Sequence, residues 1–215
     1  MNIHNNFISL EGIDNVGKST AAVKIKQYLE ALGHESIVAP DPPHVKPWKS
    51  FKPTLLGNID IKELSRATLY LAARLDSIDR VISPALKKNV FVVADRYIDS
   101  WFAYQITSFK KFMNRDKAYR LLYGIHQPLV SAGFIPQPGR TFLIIGDIKE
   151  IAKRKKDKHN SVYDSLEKQR KIQENYMWLS KKYKKRIKVI NGKNKTLDEI
   201  VKEICKDSVI TSLKK

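Results

Sequence analysis

Eight residues carry the clearest chemistry in the chain: Gly12-Ile-Asp-Asn-Val-Gly17-Lys18-Ser19, spaced as G-x-x-x-x-G-K-S/T. Glycine at both ends permits the backbone torsions that turn successive N–H groups inward, which makes an anion nest at the positive end of a helix. Lys18 adds a positive charge for the β and γ phosphates of a nucleotide, and the Ser19 hydroxyl is a ligand for Mg²⁺. A glycine turn that ends in GKS by chance would not need a strand before it and a helix after it. Here the apolar run FISL precedes the motif and the helical AAVKIKQYLEAL follows. Asn15, Val16 and Thr20 complete the stretch expected to hold ATP.

The device does not name the reaction, because translation factors, helicases, ATPases and small-molecule kinases all use it. No NKxD guanine signature is present, and a chain of 215 residues leaves little room for motor elements. A small phosphotransferase is the leading class. A second motif, Asp95-Arg96-Tyr97, follows the run VFVVA. A carboxylate at the carboxyl end of a buried strand points into the crevice where open α/β sheets bind ligands, so Asp95 can hold hydrated Mg²⁺ or orient an acceptor phosphate. Arg96 can fork onto a monophosphate. The plainer reading makes the two a pair at the start of a helix. Asp147 is a rival carboxylate after TFLIIG, but Glu150 three residues on supplies a capping reason for it, so Asp95 ranks first.

These groups need a scaffold. Five largely apolar runs, FISL (7–10), SIVA (36–39), VFVVA (90–94), TFLII (141–145) and RIKVI (186–190), alternate with helical patterns at 18–32, 62–88, 116–132 and 163–183. That alternation predicts a three-layer α/β/α fold around a five-stranded parallel sheet, covering residues 1–215 as one domain. Asp147 to Glu150 and Thr196 to Glu199 have capping-box spacing and should open two further helices. The segment from Pro40 to Asn58 holds five prolines and few helix signals, and reads as a functional surface loop. The single Cys205 excludes an internal disulfide and should pack on the final helix; no Cys/His cluster has zinc spacing. No apolar stretch is long enough to span a bilayer and the start lacks signal-peptide character, so a cytoplasmic protein with no membrane partner is expected.

The formal charge is +18, and residues 153–188 hold fourteen Lys/Arg against four Asp/Glu. Nucleic acid, a basic lid over nucleotide phosphates and a plain lysine-rich surface all fit such a field. Most of the lysines are assigned to the surface, and those nearest Arg154 to a lid at about 153–163.

"EGIDNVGKST", "LYLAAR" (69–74) and "DRYIDSWFAYQ" together make the chain similar to the thymidylate kinases, P-loop nucleoside monophosphate kinases that pass the γ-phosphate of ATP to dTMP. The resemblance runs over most of the chain. It implies that Tyr70 stacks on thymine and Arg74 bonds the base; their i, i+4 spacing puts both on one helix face. It implies that Asp14 meets the sugar 3′-hydroxyl and that Tyr104 crowds the 2′ position, with Ser100, Gln105 and Tyr163 on the acceptor side. Arg154 matches an arginine near the adenine. Asn15 stands where one subgroup has a catalytic arginine, which assigns the charge on the transferring phosphoryl group to lid cations, Lys155 and Lys156 first, with Lys158 as a third. A homodimer is implied as well. Tyr70 replaces the usual Phe, and its hydroxyl needs a partner. "APDPPHVKPWKS" replaces the segment with the usual phosphate-gripping arginine, so that Lys46 or Lys49 substitutes or the acceptor is held differently. Two alternatives stand beside dTMP phosphorylation: a divergent nucleoside or nucleotide kinase with another acceptor, and a nucleic-acid-binding P-loop ATPase. The aromatics sit in the kinase motifs and not along a basic groove, which disfavours the latter.

Overall fold

The computed structural model describes residues 3–44, 46–57, 59–153 and 162–212. Its centre is a five-stranded, all-parallel sheet in the order β2-β3-β1-β4-β5, formed by β1 (Ile3–Glu11), β2 (Ser36–Pro40), β3 (Phe91–Asp95), β4 (Gln137–Ile145) and β5 (Ile187–Asn191). All five expected runs are strands. Phe7, Ile8, Leu10, Val92, Val93, Phe142 and Ile144 are fully buried, as strands covered on both faces require.

Right-handed crossovers decide which face each helix takes. The chain steps from β1 outward to β2 through α1 (Lys18–Ala31), and returns in the opposite direction through every later connection. Helices α3 (Glu63–Ser77), α5 (Ile98–Phe109) and α8 (Leu166–Lys182) therefore share the face opposite α1. The packing agrees: α5 lies against α3, α6 (Arg115–Ser131) and α8, while α1 lies against β2, β3 and α9 (Leu197–Cys205). The direction of the sheet reverses beside β1. Its carboxyl end meets that of β3, with Leu10 level with Asp95, and this is the switch point at which such sheets bind ligands.

Three expectations change in detail. Residues 62–88 are not one regular helix: a π turn at Ile78–Ile82 separates α3 from α4 (Ser83–Lys87), because Pro84 has no N–H to continue the i→i−4 ladder. The proline-rich segment contains α2 (Trp48–Leu56), ended by Gly57 at φ 88°. Tertiary bonds hold it against its poor local propensity: Trp48 Nε1 donates to Asp76 (2.8 Å), Tyr70 Oη donates to the Leu55 carbonyl (3.2 Å), and Arg66 donates to the Thr54 carbonyl. The late helix begins at Leu166, capped by Ser165.

Thr196 and Glu199 form both halves of a capping box for α9. At α7 (Ile148–Lys153) Asp147 accepts the N–H groups of Lys149 (2.8 Å) and Glu150 (3.2 Å), while Glu150 pairs with Lys153. Cys205 is buried at the end of α9, and a short α10 (Ser208–Thr211) follows it. Among the described residues no helix is long and apolar enough to cross a membrane.

Candidate active site

The loop between β1 and α1 needs its glycines. Gly12 has φ 141°, and a Cβ there would lie 2.4 Å from the Ile144 carbonyl oxygen of β4; Gly17 has φ 100°. Asn15 is also left-handed, at φ 62°. Lys18 begins α1, is buried, and donates from Nζ to the Ile13 carbonyl at 2.6 Å. Burial, with Arg96 nearby, pushes its ammonium down to about 8, against the pull of Asp14, Asp95 and Glu11.

This loop forms one wall of a cavity of about 600 Å³. Asp14, Asn15, Gly17, Lys18, Ser19 and Thr20 line it from the P-loop, and Asp95, Arg96, Ser100, Tyr104 and Gln105 from β3 and α5. Tyr70 and Arg74 of α3 and Tyr163 close it. Gly12 shapes the loop from behind. Val16 lines a second, smaller cavity with Asp147, Gly192 and Asn194. Arg154, Lys155, Lys156 and Lys158 lie outside the described residues.

Arg96 is the hub of the larger cavity. Its backbone is left-handed (φ 72°), which carries the side chain from the strand end across the P-loop. Nη1 donates to the Gly12 carbonyl (2.9 Å), Ser100 Oγ (3.1 Å) and Tyr176 Oη (3.2 Å). Nη2 donates to Asp14 Oδ1 (2.5 Å) and Tyr104 Oη (3.0 Å). Asp14 Oδ2 accepts from Tyr104 (3.1 Å) and Gln169 (3.3 Å). Burial alone would raise the Asp14 carboxyl, but the charges of Arg96 and Lys18 outweigh it and hold Asp14 below the usual carboxylate range.

Arg74 is buried against Asp41, at 2.7 Å from Nε to Oδ2, and it also donates to the Tyr97 carbonyl (3.2 Å). Its Nη1 and the Gln105 Oε1 have no hydrogen-bond partner among the described residues, and both side chains line the cavity. Tyr70, one turn before Arg74, has its hydroxyl satisfied by Leu55. Tyr163 contacts Ser108 Oγ at 2.9 Å and packs edge-on against Tyr104, with ring centres 5.0 Å apart. Between β2 and α3 the lining includes Lys52 of α2 and His44; Lys46 and Lys49, the expected substitutes for the absent arginine, do not line the cavity.

Four contributors escaped the sequence reading. Glu11 lies inside the quoted P-loop stretch as a charged residue ending a buried strand, which was a usable signal. Its carboxyl is wholly buried, and burial together with Asp99 pushes it up to about 7. Asp41, Gln169 and Tyr176 reach the site from β2's exit and from α8, and nothing local in the sequence marks them.

A chain with this cradle, hub and cavity matches the thymidylate kinase family model over residues 10–204. The chain belongs to the thymidylate kinase family. It is 30% identical over 207 residues to the thymidylate kinase of Mycoplasma capricolum subsp. capricolum, covering 93% of this chain and 92% of the relative. The Kosmotoga olearia thymidylate kinase is also 30% identical, over 202 residues, covering 92% and 94%. In fold the chain is similar to thymidylate kinase from Candida albicans, with TM-score 0.76, 21% identity, and 97% and 93% of the two chains covered. The thymidylate kinase reading therefore holds: the activity is ATP-dependent phosphorylation of thymidylate, and the divergent-acceptor and nucleic-acid alternatives are not needed.

Proposed function

We propose that the 600 Å³ cavity holds thymidylate with its phosphate at Arg96 and its base between Tyr70 and Arg74, and that the P-loop presents the γ-phosphate of ATP to it. The observation that carries this reading is the hub itself. One guanidinium, fixed by five acceptors, lines the same cavity as Lys18 and Ser19.

An acceptor phosphate oxygen attacks the γ-phosphorus, the bond to the β,γ-bridging oxygen breaks, and dTDP and ADP result. Arg96 binds and orients the nucleophile. The P-loop N–H groups and Lys18 take up charge on the donor phosphates, and a phosphate beside Lys18 restores the ammonium that burial weakens. Ser19 and Asp95 offer hard oxygen donors in one cavity, the kind of partial set Mg²⁺ uses alongside phosphates and water. That ion would supply charge neutralisation between the phosphates. Arg74 and Gln105 line the cavity beside Tyr70 and supply polar side chains for a pyrimidine edge. Asp14 accepts from the sugar 3′-hydroxyl, and the Tyr104 ring, backed by Tyr163 and Tyr176, excludes a 2′-hydroxyl. The adenine lies toward Val16 and the smaller cavity; the family resemblance assigns Arg154 to the adenine and Lys155 or Lys156 to the transferring phosphoryl group. The chain acts as one domain and pairs as a homodimer, for which the exposed Leu64, Leu121 and Tyr123 offer apolar surface.

Incubation with ATP, Mg²⁺ and a panel of monophosphates tests the assignment. The expected order is dTMP, then dUMP, then dAMP and dGMP, with the ribose form of thymidylate rejected. Equal use of the ribose form would overturn the role given to Tyr104.

A further inference from the structure

Glu11 is a buried carboxylate that none of the steps above uses. Its Oε1 accepts the Tyr97 N–H at 2.9 Å, at the start of α5. Its Oε2 is 2.5 Å from Ser100 Oγ and 3.1 Å from Tyr176 Oη. Arg96 Nη1 reaches the same two hydroxyls, and the two oxygens are 2.7 Å from each other. The four groups come from β1, the end of β3, α5 and α8, so a network so closely shared is a tertiary construction.

With Glu11 ionised, proton counting gives the cluster one arrangement that serves its shortest contact. A guanidinium only donates and an ionised carboxylate only accepts, whereas each hydroxyl has one proton and two lone pairs. Ser100 therefore gives its proton to Glu11, and the Tyr176 proton falls between Glu11 Oε2 and Ser100 Oγ. Both hydroxyls are left with lone pairs toward Arg96. We propose that Glu11 is a positioning residue for the acceptor phosphate: it sets the direction of the Ser100 and Tyr176 hydroxyls, and through them the orientation of the Arg96 guanidinium.

A glutamine at this position cannot reproduce the pattern. With its amide NH₂ toward the hydroxyls it donates to them; only one hydroxyl proton fits between Ser100 and Tyr176, so the other must turn toward Arg96. With the amide reversed, its NH₂ opposes the Tyr97 N–H. The shape is kept and the polarity is lost.

This inference rests on the reading that Arg96 grips the acceptor phosphate, and the test separates the two. Steady-state constants for both substrates are measured at about pH 8, above the value of about 7 to which burial pushes Glu11, for Glu11→Gln, Arg96→Lys, Ser100→Ala/Tyr176→Phe and the triple variant, with thermal melts alongside. Glu11→Gln should raise the KM for dTMP about tenfold, the equivalent of one charge-assisted hydrogen bond, and leave the KM for ATP within about twofold. In the background without the two hydroxyls the same substitution should add nothing to the dTMP KM. If Glu11→Gln does not fold, the Ser100→Ala/Tyr176→Phe protein alone must show the dTMP-specific rise. An unchanged dTMP KM, an equal rise for both substrates, or a full Glu11→Gln effect without the hydroxyls overturns the inference. If Arg96→Lys also leaves the dTMP KM unchanged, the reading of Arg96 falls with it; if only Arg96→Lys raises it, the role of Glu11 alone is wrong.

Discussion

Arg74→Met should be among the most destabilising single changes in this protein, and the effect should depend on pH in a stated direction. Arg74 and Asp41 are 3% and 8% exposed, and the guanidinium supplies two bonds to Asp41 Oδ2 and one to the Tyr97 carbonyl. Methionine keeps much of the volume but leaves a buried carboxylate without its cation. Breaking a buried pair from one side costs about 3–5 kcal/mol. For a domain of this size that lowers the melting temperature by about 6–20 °C. Burial already outweighs Arg74 and holds Asp41 above its ordinary value, and losing the cation raises it further. A carboxyl whose folded pKa exceeds its unfolded value contributes fully below the unfolded value and loses that contribution as pH rises through the folded one. The deficit of Arg74→Met should thus be smaller at about pH 5 than at about pH 8. The double variant Asp41→Leu/Arg74→Met should recover at least half of the loss while dTMP binding stays poor. Thermal melts of the three proteins at both pH values give the result. A loss under about 2 °C, an equal loss at the two pH values, or a double variant no more stable than the single would refute the reasoning.

Asp95→Asn should reduce phosphoryl transfer at least about a hundredfold with ATP binding retained, whereas Asp147→Ala, which removes only two helix-start bonds, should lower the melting temperature and keep turnover. Turnover and nucleotide titrations decide between the two carboxylates, and reversed outcomes would exchange their roles. Tyr104→Phe removes a hydroxyl shared by Arg96 and Asp14, so the KM for dTMP should rise about threefold to tenfold while the ring still rejects ribose. Lys52→Ala should raise the dTMP KM by about twofold to fivefold, and Lys46→Ala and Lys49→Ala should not, since of the three only Lys52 lines the cavity. Equal effects of the three would mean that the positive charge acts only as a diffuse field.

Much of the scaffold was legible because its signals are local. Each buried strand is a short apolar run, Thr196 and Glu199 cap α9 within four residues, and Gly12 and Gly17 announce a loop that no other residue type could form. The P-loop and DRY motifs are contiguous, so Lys18, Ser19, Asp95 and Arg96 could be placed before the fold was known. Helix α2 was not legible. Five prolines argue against a helix there, and what holds it is Asp76, Tyr70 and Arg66 from another element. The acceptor-side lysine was not legible for the same reason: Lys49 and Lys52 are three residues apart and share a side of α2, and only the placement of that helix beside the cavity shows that Lys52 reaches the lining.

By itself, the sequence determined a parallel α/β core, a phosphate cradle at the head of its first helix, and the pairing of Tyr70 with Arg74 on one face, because each depends on residues a few positions apart. The tertiary structure decided how Arg96 is used. Its partners Gly12, Asp14, Ser100, Tyr104 and Tyr176 extend from the first loop to the last long helix, and Glu11 acts on it only through two hydroxyls. A guanidinium in a buried site takes its direction from the acceptors around it, and their positions are set by the packing of α5 and α8 against the sheet.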